Sequence, residues 1–120
     1  MTCEVFMGHL FFARDVAHSV HLSTRSYAKH KALNEFYDGI IDLADKFAEA
    51  YQGRHGIIGP VKRIMSKEPG SIIPFFETSL AEIEDMRYKV CDKSDSTLQN
   101  IIDEIVGLYL STLYKLKFLA

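Results

Sequence analysis

The chain has few cysteines, no cluster of basic residues and no tryptophan. Its two cysteines, Cys3 and Cys91, belong to no CxxC-type pattern, so neither a disulfide framework nor a cysteine-based metal site is expected, and both thiols should be reduced. The formal net charge is −2 and the lysines are scattered. This distribution lacks the positive footprint that nucleic-acid binding requires.

A long apolar run is also absent. The apolar stretch over residues 101–119 is interrupted by four charged side chains, so it is not expected to span a membrane. Charged residues near the N-terminus argue against a signal peptide, and a cytoplasmic location is expected. The 120 residues, 48% of them hydrophobic, fit one domain, residues 1–120.

Apolar residues recur every three or four positions through most of the chain, which predicts four amphipathic helices and no strand. Ser26 is the expected N-cap of the second helix and Gly53 its C-terminal stop. Glycines and prolines mark a long connection over residues 55–73, with a short helical piece around residues 61–65. The predicted helices span about residues 4–22, 27–52, 74–92 and 96–120.

The starts of the last two helices are less well defined. Pro74 could lie in the first turn of the third helix, or Ser79 and Glu82 could form a capping box there. Ser96 and Gln99 have the same capping-box spacing before the fourth helix. The broad apolar face of the fourth helix predicts either a central place in the core or a half-buried subunit contact.

Two helical hairpins joined by a long connection predict an all-α fold, a ferritin-like four-helix bundle with a long crossover between the second and third helices. The nearest alternative is an up-down bundle with a loose third loop.

Four potential metal ligands stand out from this background: His18, His30, Asp45 and Glu49. Imidazole and carboxylate groups together suit iron, zinc or manganese. The two carboxylates are one helical turn apart and project from the same face. The alternative for each is ordinary: an acidic pair on a helix is commonly a solvated edge, and a histidine at a helix boundary is commonly a cap.

Distance along the second helix excludes a single site within one chain. His30 and Asp45 are fifteen residues apart, about 22 Å at the rise of an α-helix, whereas metal–ligand bonds are about 2 Å long. His18 can approach His30 if the first two helices form a hairpin. A two-fold dimer with antiparallel second helices would bring this histidine half-site against Asp45 and Glu49 of the other subunit.

The remaining histidines are weaker candidates for ligands. His21 and His55 could replace one of the chosen pair, whereas His9 is too far up the first helix to reach the others.

The order of these residues resembles that of the Dps family, the mini-ferritins. His18 near the end of the first helix, His30 early in the second and the following Asp45-x-x-x-Glu49 pair match the family motif, and the resemblance covers about residues 16–53. It implies a ferritin-like bundle with an iron site shared across a dimer interface. The chain is also similar to short ferritin-like proteins, some of them phage-borne.

Three departures from the Dps pattern concern the site directly. Asn34 stands where the family commonly has an aspartate, and its amide oxygen could bind a metal only weakly. Ser19 replaces the usual tryptophan, and Ser23-Thr24-Arg25-Ser26 replaces a glycine-proline turn. The chain is shorter than typical members and has no basic N-terminal tail, so the resemblance does not extend to DNA binding.

Two functions follow from the sequence. The first is iron binding, as a ferroxidase or a sequestration protein, by a homo-oligomer that is at least a dimer; zinc or manganese could replace iron. The alternative is a non-catalytic ferritin-like dimer that serves as a structural or interaction module and needs no cofactor.

Overall fold

Four α-helices make up most of the protein in a computed structural model that describes residues 1–119. No strand occurs within that range, which confirms the all-α prediction and the four-helix arrangement. In chain order the helices are α1 Cys3–Ser23, α2 Tyr27–His55, α3 Ile72–Val90 and α4 Ser96–Phe118.

Side-chain caps fix three of the helix starts. Thr2 caps α1, and the predicted cap Ser26 accepts a hydrogen bond from the backbone N–H of Lys29 in α2. The Ser96 capping box is wrong, because Asp95 is the residue that caps α4. A carboxylate there also interacts favourably with the positive end of the helix dipole.

Several helix boundaries differ from the predicted ones by one to three residues. The helix α2 continues past Gly53 to His55 and ends at Gly56, whose φ of 95° lies in the left-handed region that glycine tolerates. The helix α3 begins at Ile72, so Pro74 lies in its first turn and Ser79 lies inside the helix rather than capping it.

The helices pack in the order α1, α2, α4, α3 around the bundle. The helix α1 contacts α2 and α3, and α4 contacts the same two helices. Within residues 1–119, α1 lies diagonally opposite α4, and α2 lies diagonally opposite α3.

The crossover between α2 and α3 packs along the outside of α1. The backbone N–H of Gly59 donates to the Glu4 carboxylate, and the N–H of Lys62 donates to the Glu4 carbonyl oxygen. Further along, residues 69–72 lie beside Val20 and Thr24 near the other end of α1. The crossover therefore carries the chain from one end of the bundle to the other, as the sequence predicts.

The short helix predicted around residues 61–65 is wrong. This segment holds no helix; its backbone is instead attached to α1, where the N–H of Lys62 donates to the Glu4 carbonyl oxygen.

The core contains the predicted apolar faces of all four helices. Both cysteines are buried in it as free thiols. Its largest fully buried side chains are Tyr109, Phe6, Phe36, Phe47, Phe76, Leu10, Leu33, Ile40, Ile83, Leu98, Ile102 and Ile105.

Candidate functional site

The hairpin between α1 and α2 is held together by two histidines. Nδ1 of His21 lies 2.7 Å from the carbonyl oxygen of His30, and Nδ1 of His30 lies 2.9 Å from the carbonyl oxygen of His21. Their rings stack with centroids 3.7 Å apart. Because a carbonyl oxygen only accepts, each Nδ1 must carry a hydrogen, which in a neutral ring leaves the lone pair on Nε2.

The short turn explains why these two residues meet. Only Thr24, Arg25 and Ser26 separate the helices, and Thr24 accepts a hydrogen bond from the N–H of Ser26. His21 lies four residues before Arg25, the central residue of this turn, and His30 lies five residues after it. This nearly symmetric spacing about the turn is the sequence signal that would have identified His21 as the neighbour of His30.

His18 lies on the exposed side of the same cluster. Its ring stacks on Tyr37 of α2 with centroids 4.2 Å apart, and it is 6.1 Å from the ring of His21. His21, which is buried, lies in contact with His30 and links the two predicted ligands. The structure thus groups three histidines at this end of the hairpin, rather than two.

Asn34 is hydrogen-bonded to neighbours on its own helix. Its amide oxygen accepts from the Tyr37 hydroxyl at 2.8 Å, and its amide nitrogen donates to Asp38 at 3.1 Å. These bonds connect the histidine cluster to the middle of α2 through the Tyr37 ring.

Asp45 and Glu49 lie further along α2, on its exposed surface. Neither is among the carboxylates that form ion pairs within residues 1–119. Both lie within the continuous helix Tyr27–His55, so Asp45 is about 22 Å along the helix axis from His30. The structure does not bring the two predicted half-sites together within one chain.

No group of three or more histidine, cysteine, aspartate or glutamate side chains in the described part of the chain is arranged to hold a metal ion. The site shared between two subunits stays a prediction.

His9 forms a contact that the sequence did not reveal. Its Nδ1 lies 3.2 Å from the Glu82 carboxylate of α3, beside a cavity of about 300 Å³ that is lined by Phe12, Ile64 and Ser79 among others. The pairing joins residues 73 positions apart, so it depends on how α1 and α3 pack and leaves no local pattern.

No helix within residues 1–119 combines the length and apolarity needed to cross a membrane.

Comparison with known proteins shows the family of the chain. Residues 21–116 match the model of a family of unknown function, DUF5856. An uncharacterised 14.6 kDa protein from the mobD–ri intergenic region of Enterobacteria phage T4 is 32% identical over 114 residues, which cover 94% of this chain and 86% of the phage protein. No solved structure matches. The chain belongs to the DUF5856 family and has a phage relative.

Proposed function

We propose that this member of the DUF5856 family is a ferritin-like, Dps-related homodimer that binds ferrous iron at two shared sites. Each site would combine His18 and His30 of one subunit with Asp45 and Glu49 of the partner subunit. The observation that carries the proposal is the separation of histidines and carboxylates at two distant positions of α2. In a two-fold dimer with antiparallel α2 helices, the histidines of each subunit would lie beside the carboxylates of the other, which would complete two sites.

The charge distribution along α2 supports the same pairing. Lys29 and Lys31 lie near its start, and the exposed acidic residues follow between residues 35 and 49. In an antiparallel pair, the basic end of each helix lies beside the acidic segment of the other, which is electrostatically favourable. The exposed acidic residues are Glu35, which pairs with Lys115, and Asp38, Asp42, Asp45 and Glu49.

The donor atoms fit a borderline metal such as Fe²⁺, and also Zn²⁺ or Mn²⁺. The hydrogen bond from Nδ1 of His30 to the His21 carbonyl fixes the ring orientation and leaves Nε2 as the ligand atom, which is how metal-binding histidines are commonly held. Asp45 and Glu49 are exposed, so no internal ion pair has to break. As a ferroxidase, the protein would promote the oxidation of two Fe²⁺ ions to Fe³⁺ by one hydrogen peroxide, which would take up two protons and leave as two waters; dioxygen is the alternative oxidant. The carboxylates would favour the Fe³⁺ product.

The test is saturable Fe²⁺ binding and oxidation by the Asp45→Asn/Glu49→Gln variant. We expect the wild type to bind and the variant to lose at least tenfold in affinity, since ligands and their supports typically contribute that much. The matched control is Glu84→Gln/Asp85→Asn, an exposed acidic pair on α3, the helix diagonally opposite α2, which should bind normally. Equal binding by both variants would refute the site.

A non-catalytic helical dimer is the second candidate. It is favoured by the cluster of His21, His30, Asn34 and Tyr37, whose members hydrogen-bond to groups of the same chain. No buried side-chain polar atom of residues 1–119 lacks a partner. Ligand binding to the native state must raise its melting temperature by mass action, so the absence of any shift with Fe²⁺, Zn²⁺ or Mn²⁺ would favour this candidate.

A further inference from the structure

The outward face of α4 carries an exposed apolar stripe, which we name the α4 stripe: Gly107, Leu110, Ser111, Tyr114 and Phe118. Leu110 is 54% exposed, Tyr114 55% and Phe118 73%. These three side chains are four residues apart in succession and therefore line one side of the helix, opposite the side that enters the core. A single exposed apolar side chain is ordinary, but a continuous row of large ones marks an interaction surface.

Gly107 gives a second, independent indication. Gly107 lies in the interior of α4, unlike Gly53 in the last turn of α2, and glycine at an interior helical position costs about 1 kcal/mol relative to alanine. A Cβ atom built at Gly107 meets nothing within 4 Å, so the fold of the single chain supplies no packing reason for the glycine. The residue leaves a flat place on the stripe, where the side chain of a partner could approach the helix closely.

Charge complementarity identifies what could cover the stripe. Asp103 lies just before the stripe and Lys117 lies near its end, 60% and 37% exposed respectively. Each also bonds within its own chain, to Arg87 and to Glu77. A second copy of α4 running in the opposite direction would bring the acidic end of each stripe to the basic end of the other.

We propose that the α4 stripe binds the same stripe of a second copy of this chain, with the two helices antiparallel and the two-fold axis between Leu110 and Ser111. Gly107 and Tyr114 are equally far from that point, so the Tyr114 ring of each subunit packs over Gly107 of the other. Asp103 and Lys117 lie about equally far beyond them. This contact uses α4 and is separate from the α2 pairing of the iron site.

Cysteine cross-linking tests the position of the axis. Two copies of Ser111→Cys would lie beside each other at the axis, whereas two copies of Asn100→Cys on the same face would lie about 31 Å apart along it. A disulfide needs Cα atoms within about 7 Å. The native Cys3 and Cys91 are 1% and 8% exposed and should not interfere.

We expect Ser111→Cys to form a disulfide-linked dimer under mild oxidation at least tenfold faster than Asn100→Cys, measured on non-reducing gels. Equal rates would overturn the proposal, because random collision or another contact would then explain the product. A purified Ser111→Cys protein that stays uncrosslinked would overturn it as well.

A second pair of variants tests the role of the stripe. Tyr114→Glu in the Ser111→Cys background should reduce cross-linking at least tenfold, because it places a charge over Gly107 of the other subunit. The matched control is Tyr88→Glu on α3, where the tyrosine is 53% exposed and outside the stripe. Undiminished cross-linking by the Tyr114 variant would contradict the proposal, and either result leaves the iron site on α2 independently testable.

Discussion

At the scale of single residues, buried polar side chains of α3 and α4 form hydrogen bonds with each other. The Tyr109 side chain is completely buried, and its hydroxyl lies 2.8 Å from the Ser79 hydroxyl of α3. The Arg87 guanidinium of α3 likewise donates hydrogen bonds to the side chains of Gln99 and Asp103 of α4. Because a buried polar group without a partner costs more than a hydrogen bond gains, each such pair selects one packing of α3 on α4.

Replacing Tyr109 by phenylalanine should therefore destabilise the protein by about 1–2 kcal/mol, because the buried Ser79 hydroxyl loses its partner. Urea unfolding measures the change. The double variant Tyr109→Phe/Ser79→Ala removes both polar groups and should recover most of the loss. If the double variant is as unstable as the sum of the two single variants, the two hydroxyls do not act as a pair.

At the scale of secondary-structure elements, the backbone of the crossover packs directly against the backbone of α1 at Gly8. A Cβ atom added to Gly8 would lie 1.9 Å from the carbonyl oxygen of Lys62, which no structure accommodates without movement. The same segment is held by hydrogen bonds from Gly59 and Lys62 to Glu4. Glycine at position 8 is thus required by packing, not by backbone conformation.

The substitution Gly8→Ala should destabilise the protein by about 3 kcal/mol and expose the crossover to limited proteolysis. The control is Gly53→Ala in α2, where an added Cβ meets nothing within 4 Å and the better helix propensity of alanine should be neutral or stabilising. Equal stability of the two variants in urea would show that the crossover does not lie against Gly8.

The helices themselves were predictable from the sequence, whereas some of their ends were not. The four helices were predictable because their apolar residues follow the helical period, and the cap at Ser26 was predictable because it is local. The end at Gly56 and the cap at Asp95 were missed in favour of Gly53 and Ser96, because several residues within a few positions satisfy the same rule.

For the candidate site, spacing predicted His18 and His30 as ligands, which stays a prediction, and excluded a one-chain site by distance alone. It ranked His21 only as an alternative, because the stacking of His21 on His30 depends on the length of the turn. The pairing of His9 with Glu82 was inaccessible to sequence reasoning, because it requires knowing which faces of α1 and α3 meet.

At the scale of the whole molecule, burial of weak acids links stability to pH. Burial raises the pKa of the Cys3 thiol from 9.0 to about 11, with smaller effects from Glu4 and Cys91. Burial also raises the pKa of Cys91 and of Tyr109. Between the unfolded and native pKa values of these groups, the native state keeps protons that the unfolded chain releases. The contribution of these groups to the free energy of unfolding is therefore complete below about pH 9 and is lost as the pH rises toward 11.

We expect the free energy of unfolding to fall steadily between pH 9 and 11, with at most about 2–3 kcal/mol from the Cys3 thiol alone. Urea titrations at several pH values measure it. Cys3→Ala should flatten this slope whatever its effect on stability at neutral pH. An unchanged slope in that variant would show that the Cys3 thiol does not titrate with unfolding.

The proposed iron site needs residues of two subunits, and subunit complementation tests this proposal most directly. One variant, His18→Ala/His30→Asn, keeps an amide donor toward the His21 carbonyl but lacks the histidine ligands. The other, Asp45→Asn/Glu49→Gln, lacks the carboxylates. Neither should bind Fe²⁺ alone.

After co-refolding of an equal mixture, mixed dimers identified by native mass spectrometry should contain one complete site each. Fe²⁺ binding should then return to about a quarter of the wild-type capacity, because half of the dimers are mixed and each has one of its two sites intact. Mixed dimers that bind no iron, beside a wild type that does, would contradict the shared site.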